Sequence, residues 1–410
     1  MTTDSTSGGP ISTGSRMSLQ EGVRRWVDNV RSGEIGSLPV VLALIVIAII
    51  FQSQNDKFLS AQNLTNLIVQ MAPIATISLG IVFVLLIGEI DLSVGAVSGV
   101  GGIVIARLIL PDGNELPWYL AIAIALVLAV AIGGVHGFFV ARLGVPSLIV
   151  TLSTLFIGTG VVLALAGQQG LIRVQDQTVI DIANTFLSDG LGWALAIAAV
   201  LIFAVSQFVS DRASLTQGLT AQSWAAFGAK IAVVALVVLA LVAVTNNDRG
   251  FPLIGLILAL ATVGLLVLAE RTRFGRHIYA VGGNEEAARR AGINVDGIKI
   301  ACFMIASFMA VLGGLVLASR LRSVDNSAGG GNLLLNAIAA AVIGGTSLFG
   351  GRGKVTSAIQ GALVIASVES GMGLLGWPSD RKFIVTGCIL LLAATIDTVT
   401  RRNRQSAGRA

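Results

Sequence analysis

RTRFGRHIYAVGGNEEAARRAGINVDGIK, residues 271–299, is a polar Gly- and Ala-rich stretch set between two long apolar runs of a chain that is otherwise almost entirely apolar. Within it, EEAARRAG behind Asn284 predicts a short helix. Asn284 is suited to cap its N-terminus, Glu285 and Glu286 complement the positive end of the helix dipole, and Arg289 and Arg290 lie toward the other end. Ala287 and Ala288 favour the helix and Gly292 follows its end. A loop of this composition is built to dock on something outside a bilayer. A free surface helix is the plainer alternative.

Outward from that loop, 54% of residues are hydrophobic and 12% are charged, and apolar runs recur along the whole length. These proportions predict an all-α polytopic membrane protein. A bilayer core of about 30 Å takes roughly 20 apolar residues per helix. Candidate spans fall at 38–52, 67–87, 92–110, 118–140, 147–166, 190–209, 229–245, 252–269, 299–319, 334–345, 357–376 and 383–399. The first and tenth are short, which sets the expectation at 10–12 spans. Residues 1–37 then form an N-terminal tail whose first 20 residues, rich in Ser, Thr and Gly, read as disordered. Residues 38–400 form the transmembrane domain, and 401–410 a second tail. The first apolar run lies too far into the chain, and lacks the small-residue cleavage pattern, to be a removed signal peptide.

With the N-terminus inside and all segments spanning, most of the 27 Lys and Arg residues fall on one side, among them Arg24, Arg25, Arg212, Arg271, Arg273, Arg276, Arg401 and Arg402. By the positive-inside rule both termini and the 271–299 loop are cytoplasmic. Trp118, Trp193 and Trp377 then sit at outer boundaries as interfacial anchors, with sugar stacking as the alternative. The net charge of +5 speaks of topology and anionic lipid head groups, and no nucleic-acid module is visible.

Enzyme motifs are missing. GGRGKV around Lys354 has neither the spacing nor the hydroxyl of a phosphate-cradling loop, and there is no H-E-x-x-H. Two histidines, His136 and His277, are too few for a histidine metal site. His136, in the span GGVHGFF, is either a proton-relay group or a neutral packed imidazole. Cys302 and Cys388 lie in apolar spans without paired spacing and read as small hydrophobes. The 49 glycines concentrate within spans, where small residues let helix backbones approach closely. Clustered with hydroxyls, they also permit broken or re-entrant helices.

Two hairpins combine these features. GEIDLSVG, residues 88–95, holds Glu89 and Asp91 at an apolar junction, where a carboxylate is costly unless solvated or paired. Asp91 with Ser93 either caps the next helix or contacts a transported solute. IGGTSLFGGRGKVTSAIQGALVIA resembles it weakly and hints at an internal repeat. The stretch VPSLIVTLSTLFIGTG, residues 145–160, carries Ser147, Thr151, Ser153, Thr154 and Thr159. Hydroxyls there either bond back to helix carbonyls or line a path for a neutral polyhydroxylated solute. Strong charge is scarce in the spans, which favours a neutral substrate.

GEIDLSVG, VPSLIVTLSTLFIGTG, TRFGRHIYAVGGNEEAARRAGINV and AIAAAVIGGTSLFGGRG, in this order over about residues 60–400, resemble the permease subunit of bacterial ABC importers for monosaccharides, the ribose, galactose and xylose group. The segment at 229–245 with TNNDRGFP, and the ending SGMGLLGWPSD with IDTVTRR, are most similar to the xylose-transporting members. The resemblance implies a permease homodimer in the bacterial inner membrane and a sugar-binding protein outside the cytoplasm. It also implies a separate ATP-binding subunit on the cytoplasmic face, so that ATP is bound by that partner and this chain needs no cofactor. Gly283 to Gly292 would form the coupling helix, with Glu285, Glu286, Arg289 and Arg290 making the contacts. One departure stands out: an acidic residue precedes the AIAA stretch in the xylose-type pattern, and this chain has Asn336 there. An ion-coupled secondary carrier, with Glu89, Asp91 or His136 as the coupling group, and an intramembrane enzyme are the competing classes.

Overall fold

The computed structural model describes residues 38–111, 115–168 and 170–406; the tail expected over residues 1–37 lies outside them, and so do the last four residues of the tail expected at the C-terminus. The described residues divide into two units, Leu187–Phe251 forming the smaller and the rest the larger.

The larger unit is a helical bundle with one small sheet. Its elements before residue 187 are α1 (Leu38–Gln54), α2 (Ala61–Leu86), α3 (Val94–Leu108), α4 (Trp118–Ala141), α5 (Ser147–Ala166), β1 (Leu171–Arg173) and α6 (Gln177–Asn184). The smaller unit holds α7 (Asp189–Thr216) and α8 (Trp224–Asn246), which pack on one another, with Lys230 Nζ donating to Gln207 Oε1 at 2.7 Å. The larger unit resumes with α9 (Leu253–Arg271), α10 (Arg273–Gly283), α11 (Glu285–Arg290), α12 (Val295–Leu321), β2 (Ser323–Asp325), α13 (Asn332–Ile343), α14 (Thr356–Leu374) and α15 (Ser379–Ser406).

Each expected span coincides with a helix. Among the described residues eight are long and apolar enough to cross a membrane, and α1, α3 and α13 are shorter apolar helices. At 1.5 Å per residue the 26 residues of α2 reach about 39 Å, enough for a 30 Å core. The 12 residues of α13 reach only about 18 Å, short of that core, and the helix ends in a turn. Three spans, α4, α5 and α9, start directly after Pro117, Pro146 and Pro252. Proline is preset for the first turn, and its missing N–H lies where no intrahelical acceptor exists.

α12 is the spine of the larger unit and packs against α4, α2 and α3, while α14 lies against α2 and α13. These contacts are backbone-close. A Cβ at Gly314 would lie 2.0 Å from the carbonyl oxygen of Ser98, and one at Gly133 would lie 2.4 Å from that of Phe303. Only glycine admits such spacing, and close van der Waals packing is what drives helix association where lipid provides no hydrophobic contrast. The buried core accordingly gathers Phe83, Ile77, Phe303 and Met309 from α2 and α12, whereas α5, α7, α8 and α9 present Phe156, Ile202, Leu236 and Leu260 outward. A polytopic membrane protein is built this way, with central helices buried in protein and peripheral ones facing lipid.

At one end of the bundle β1 pairs antiparallel with β2, Leu171 opposite Asp325 and Arg173 opposite Ser323. There α6 is held on the end of α12: Ser319 Oγ donates to the Ile180 carbonyl at 3.0 Å and accepts from the Ala183 N–H at 2.9 Å. The opposite end carries α10, α11 and the turns that follow α2 and α13.

Candidate functional site

α11 is specified at both ends by local chemistry. Asn284 Oδ1 accepts from the Ala287 N–H at 2.9 Å. After Ala291 the chain turns through Gly292 at φ 82°. The Gly292 N–H donates to the Arg289 carbonyl at 3.0 Å, and the Ile293 N–H to the Ala288 carbonyl at 3.1 Å. This pair of bonds is a Schellman closure, which needs a left-handed residue at the glycine. Ala288 is buried and turns the helix inward. The outward face carries Glu286 and Arg290, an i,i+4 ion pair with side chains 74% and 79% exposed.

The four charged residues expected to meet a partner divide into two pairs. Glu286 and Arg290 are free to do so. Glu285 and Arg289 are engaged within the chain: Arg289 Nη2 lies 3.1 Å from Asp296 Oδ1, and Lys299 Nζ lies 2.8 Å from Glu285 Oε2. The hydrogen bond from Lys299, ahead of the other influences, holds the Glu285 carboxyl below its ordinary pKa, while the hydrogen bond to Asp296 raises Arg289. Arg142 Nε adds a 3.6 Å contact to Asp296 in the first turn of α12.

Lys299 also meets the first hairpin, its Nζ 2.8 Å from Glu89 Oε1. That pairing answers the cost of Glu89 at an apolar junction. Asp91 is buried, and its Oδ1 accepts from the Ser93 N–H at 2.8 Å and the Ser93 hydroxyl at 2.5 Å. The local motif is an Asx turn leading into α3, and the Ser93 side chain, turned back to Asp91, caps nothing. Asp91 Oδ2 has no hydrogen-bond partner.

The second hairpin converges on the same place. The Gly351 N–H donates to the Leu86 carbonyl at 2.8 Å, and the Tyr279 hydroxyl to the Gly353 carbonyl at 2.9 Å. Burial, and then the charge of Glu270, raise the Tyr279 phenol above its ordinary pKa. Gly282, at the end of α10, lies between both turns: a Cβ there would be 1.7 Å from the Leu86 oxygen and 2.6 Å from the Gly351 nitrogen. The polar loop is therefore fastened to the breaks after α2 and α13, the two segments singled out by their Gly-rich turns.

The hydroxyls of α5 do not come together. Thr151 is buried and donates to the Ser147 carbonyl at 2.8 Å, and Ser147 Oγ accepts from the Ile90 N–H of the first hairpin at 3.4 Å. Thr154 Oγ1 shares a 2.8 Å hydrogen bond with His136 Nε2. Ser153 and Thr159 lie on the exposed face and bond back to the carbonyls of Ile149 and Leu155. His136 is buried edge-on to Phe303, with Nδ1 unpartnered. Its packing is that of a core imidazole.

Asn336, buried in α13, stands apart from these groups and donates from Nδ2 to Glu369 Oε1 of α14 at 2.6 Å; its Oδ1 has no partner. Glu369 was the residue overlooked in the sequence, and the scarcity of charge in the spans is corrected by it and by Lys299 and Arg320 of α12. An ionisable residue inside an apolar run, here SVESGMG, is the signal that finds it. Asn336 thus sits against a carboxylate of the neighbouring helix. Among the described residues no group of three or more His, Cys, Asp or Glu is placed to hold a metal ion.

The xylose transport system permease proteins of Escherichia coli (strain K12) and Haemophilus influenzae are 38% and 37% identical to this chain, over 88% and 89% of it and 92% and 98% of their own lengths. The ribose import permease protein of Haemophilus influenzae is 30% identical over 87% of this chain and 91% of its own. No solved structure matches the chain. The branched-chain amino acid transport system / permease component family matches residues 63–394, from the start of α2 into α15, and this chain belongs to that family.

Proposed function

We propose that this chain is the membrane-spanning permease subunit of an ATP-binding-cassette importer that carries a monosaccharide, D-xylose first among them, into the bacterial cytoplasm. The observation that carries the proposal is the 38% identity to a xylose permease over 88% of the chain, against 30% to a ribose permease over a similar length. The fold supports it: Glu89 is paired with Lys299 and Glu369 is hydrogen-bonded to Asn336, which suits a neutral solute. Glu89 is committed to Lys299 and so is not a free coupling carboxylate for an ion-driven carrier.

In this function α11 is the coupling helix, and a separate ATPase on the cytoplasmic face reads its exposed Glu286 and Arg290. ATP and its hydrolysis belong to that subunit, and this chain uses no cofactor. The N-terminal tail, the loop 271–299 and the C-terminus lie in the cytoplasm by the distribution of Lys and Arg. β1, β2 and α6 then face the sugar-binding protein outside, and two permease copies surround one path. Asp91, Ser93, Thr151, Ser153, Thr154 and Asn336 remain candidates for the path itself. Of these, Asn336 with Glu369 offers the donor and acceptor chemistry that sugar hydroxyls require.

The test is uptake of labelled xylose, ribose and galactose into proteoliposomes holding this chain, its ATPase and its binding protein. Xylose uptake that requires ATP and the ATPase is the expected result. Uptake by this chain alone, driven by an ion gradient, would replace the importer with a secondary carrier. ATP-dependent uptake of ribose or galactose in place of xylose would keep the importer and change the sugar.

A further inference from the structure

We propose that Lys299 is a positioning residue that relays the state of α11 to the hairpin at 88–93, by bridging the carboxylates of Glu285 and Glu89; this rests on α11 being the ATPase-docking element.

Lys299 Nζ is 2.8 Å from Glu285 Oε2 and 2.8 Å from Glu89 Oε1. Its side chain is 10% exposed, that of Glu89 18% and that of Glu285 46%. The contact grades inward, from a half-solvated carboxylate on α11 to a shielded one beside the bundle. Two carboxylates against one ammonium leave a net negative charge, so the two glutamates repel wherever the lysine is absent. Removing one member of a shielded ion pair is costly because the other is left uncompensated. A compact ammonium on a flexible stem keeps both partners through small relative displacements of the elements that bear them.

What lies beyond Glu89 gives the bridge its consequence. The Ile90 N–H is bonded to Ser147 at the start of α5, and Asp91 fixes Ser93 at the start of α3. Lys299 itself is in the first turns of α12, the spine against which α2, α3 and α4 pack. A partner that competes for Glu285 leaves Lys299 wholly to Glu89, and a partner that releases it restores the bridge. The state of a surface helix thereby reaches the helices around the spine through a single charge.

The experiment measures sugar taken up per ATP hydrolysed, and stimulation of ATP hydrolysis by sugar-loaded binding protein, in proteoliposomes of the full complex. In Lys299→Met the ATPase still copurifies, but the sugar-to-ATP ratio falls about tenfold, as a coupling free energy of ordinary size implies; Lys299→Arg keeps most of the ratio. Glu89→Gln, which leaves the Lys299 to Glu285 contact intact, lowers the ratio as well. The double variant Glu89→Gln with Lys299→Met is no worse than Lys299→Met alone, because both cut one link. An unchanged ratio in either single variant overturns the proposal. So does loss of the ATPase from Lys299→Met, which would make the lysine a support for docking alone, and so do additive effects in the double variant. Should Lys299→Met fail to fold, Glu89→Gln decides on the same ratio. Failure of the underlying function is seen separately, as a wild-type complex without ATP-dependent uptake.

Discussion

At the scale of single residues, the polar groups of this protein act through where their partners come from. Asn284 caps α11 from the adjacent position, so its effect is local. Asn284→Ala removes one acceptor at a helix N-terminus, a loss of about 1 kcal/mol, and amide hydrogens of Ala287 and Ala288 should exchange several-fold faster with the rest of the protein unchanged. Asn336 is the opposite case, since its partner Glu369 lies on another helix. Asn336→Leu leaves the Glu369 carboxylate without its donor inside a span, a cost of about 1–3 kcal/mol. The measured outcome is a lowered unfolding midpoint in detergent that Glu369→Gln partly restores. Glu285 sets a pH dependence. Its carboxyl is held low in the folded protein by Lys299, so its contribution is complete above the ordinary glutamate pKa of about 4.3. That contribution is lost as pH falls through the lower folded value. The unfolding midpoint should therefore drop below about pH 4, and the drop should be smaller in Glu285→Gln. At roughly half exposure, solvent screening keeps that difference small.

At the scale of elements, α11 is six residues long and too short to persist alone. Its two caps and its ties to α12 hold it. Gly292→Pro removes the N–H given to Arg289 and imposes a negative φ where the chain has φ 82°. Glu286→Arg changes an exposed pair of little worth to stability. The combined variant should insert and fold, yet lose both uptake and copurification of the ATPase. Normal uptake by it would remove α11 from the docking role. α13 and the turn after it are the second element of interest, because a short apolar helix must satisfy its terminal backbone groups. The Thr346 N–H returns to the Ala341 carbonyl and the Ser347 N–H to the Arg352 carbonyl, so two backbone N–H groups of the turn are satisfied within the chain. Gly282→Ala, placed where a Cβ would stand 1.7 Å from the Leu86 oxygen, should separate α10 from both breaks. Its readout is enhanced proteolysis between α9 and α12, with little change elsewhere.

At the scale of the molecule, the larger unit is organised by one helix. α12 joins the polar loop at one end to α6 and β2 at the other, and its glycine contacts with α3 and α4 leave no room for larger side chains. Gly314→Leu should abolish the folded bundle altogether, read as loss of a monodisperse peak in detergent, whereas Gly264→Leu on α9, with open space around it, should be neutral. The difference lies in what surrounds each glycine: backbone of another helix at Gly314, open space at Gly264.

The amino-acid sequence by itself determined that the chain is a polytopic helical membrane protein, where its apolar helices run, and that a capped helix sits in the 271–299 loop. Apolar run length and capping chemistry are local, and local chemistry is written in consecutive residues. The four ordered motifs likewise carried the family. The tertiary structure alone decided which polar groups meet. Glu89 and Lys299 are 210 residues apart in the chain, and Asn336 and Glu369 are 33 apart, so each pairing depends on which helices the glycines let approach. It also divided the hydroxyls of α5 between the hairpin, His136 and the exposed face, because a helix turns 100° per residue and composition does not record which face is covered. It set where α13 ends, since the length of an apolar run limits a helix while the turn that ends it is held by contacts from elsewhere.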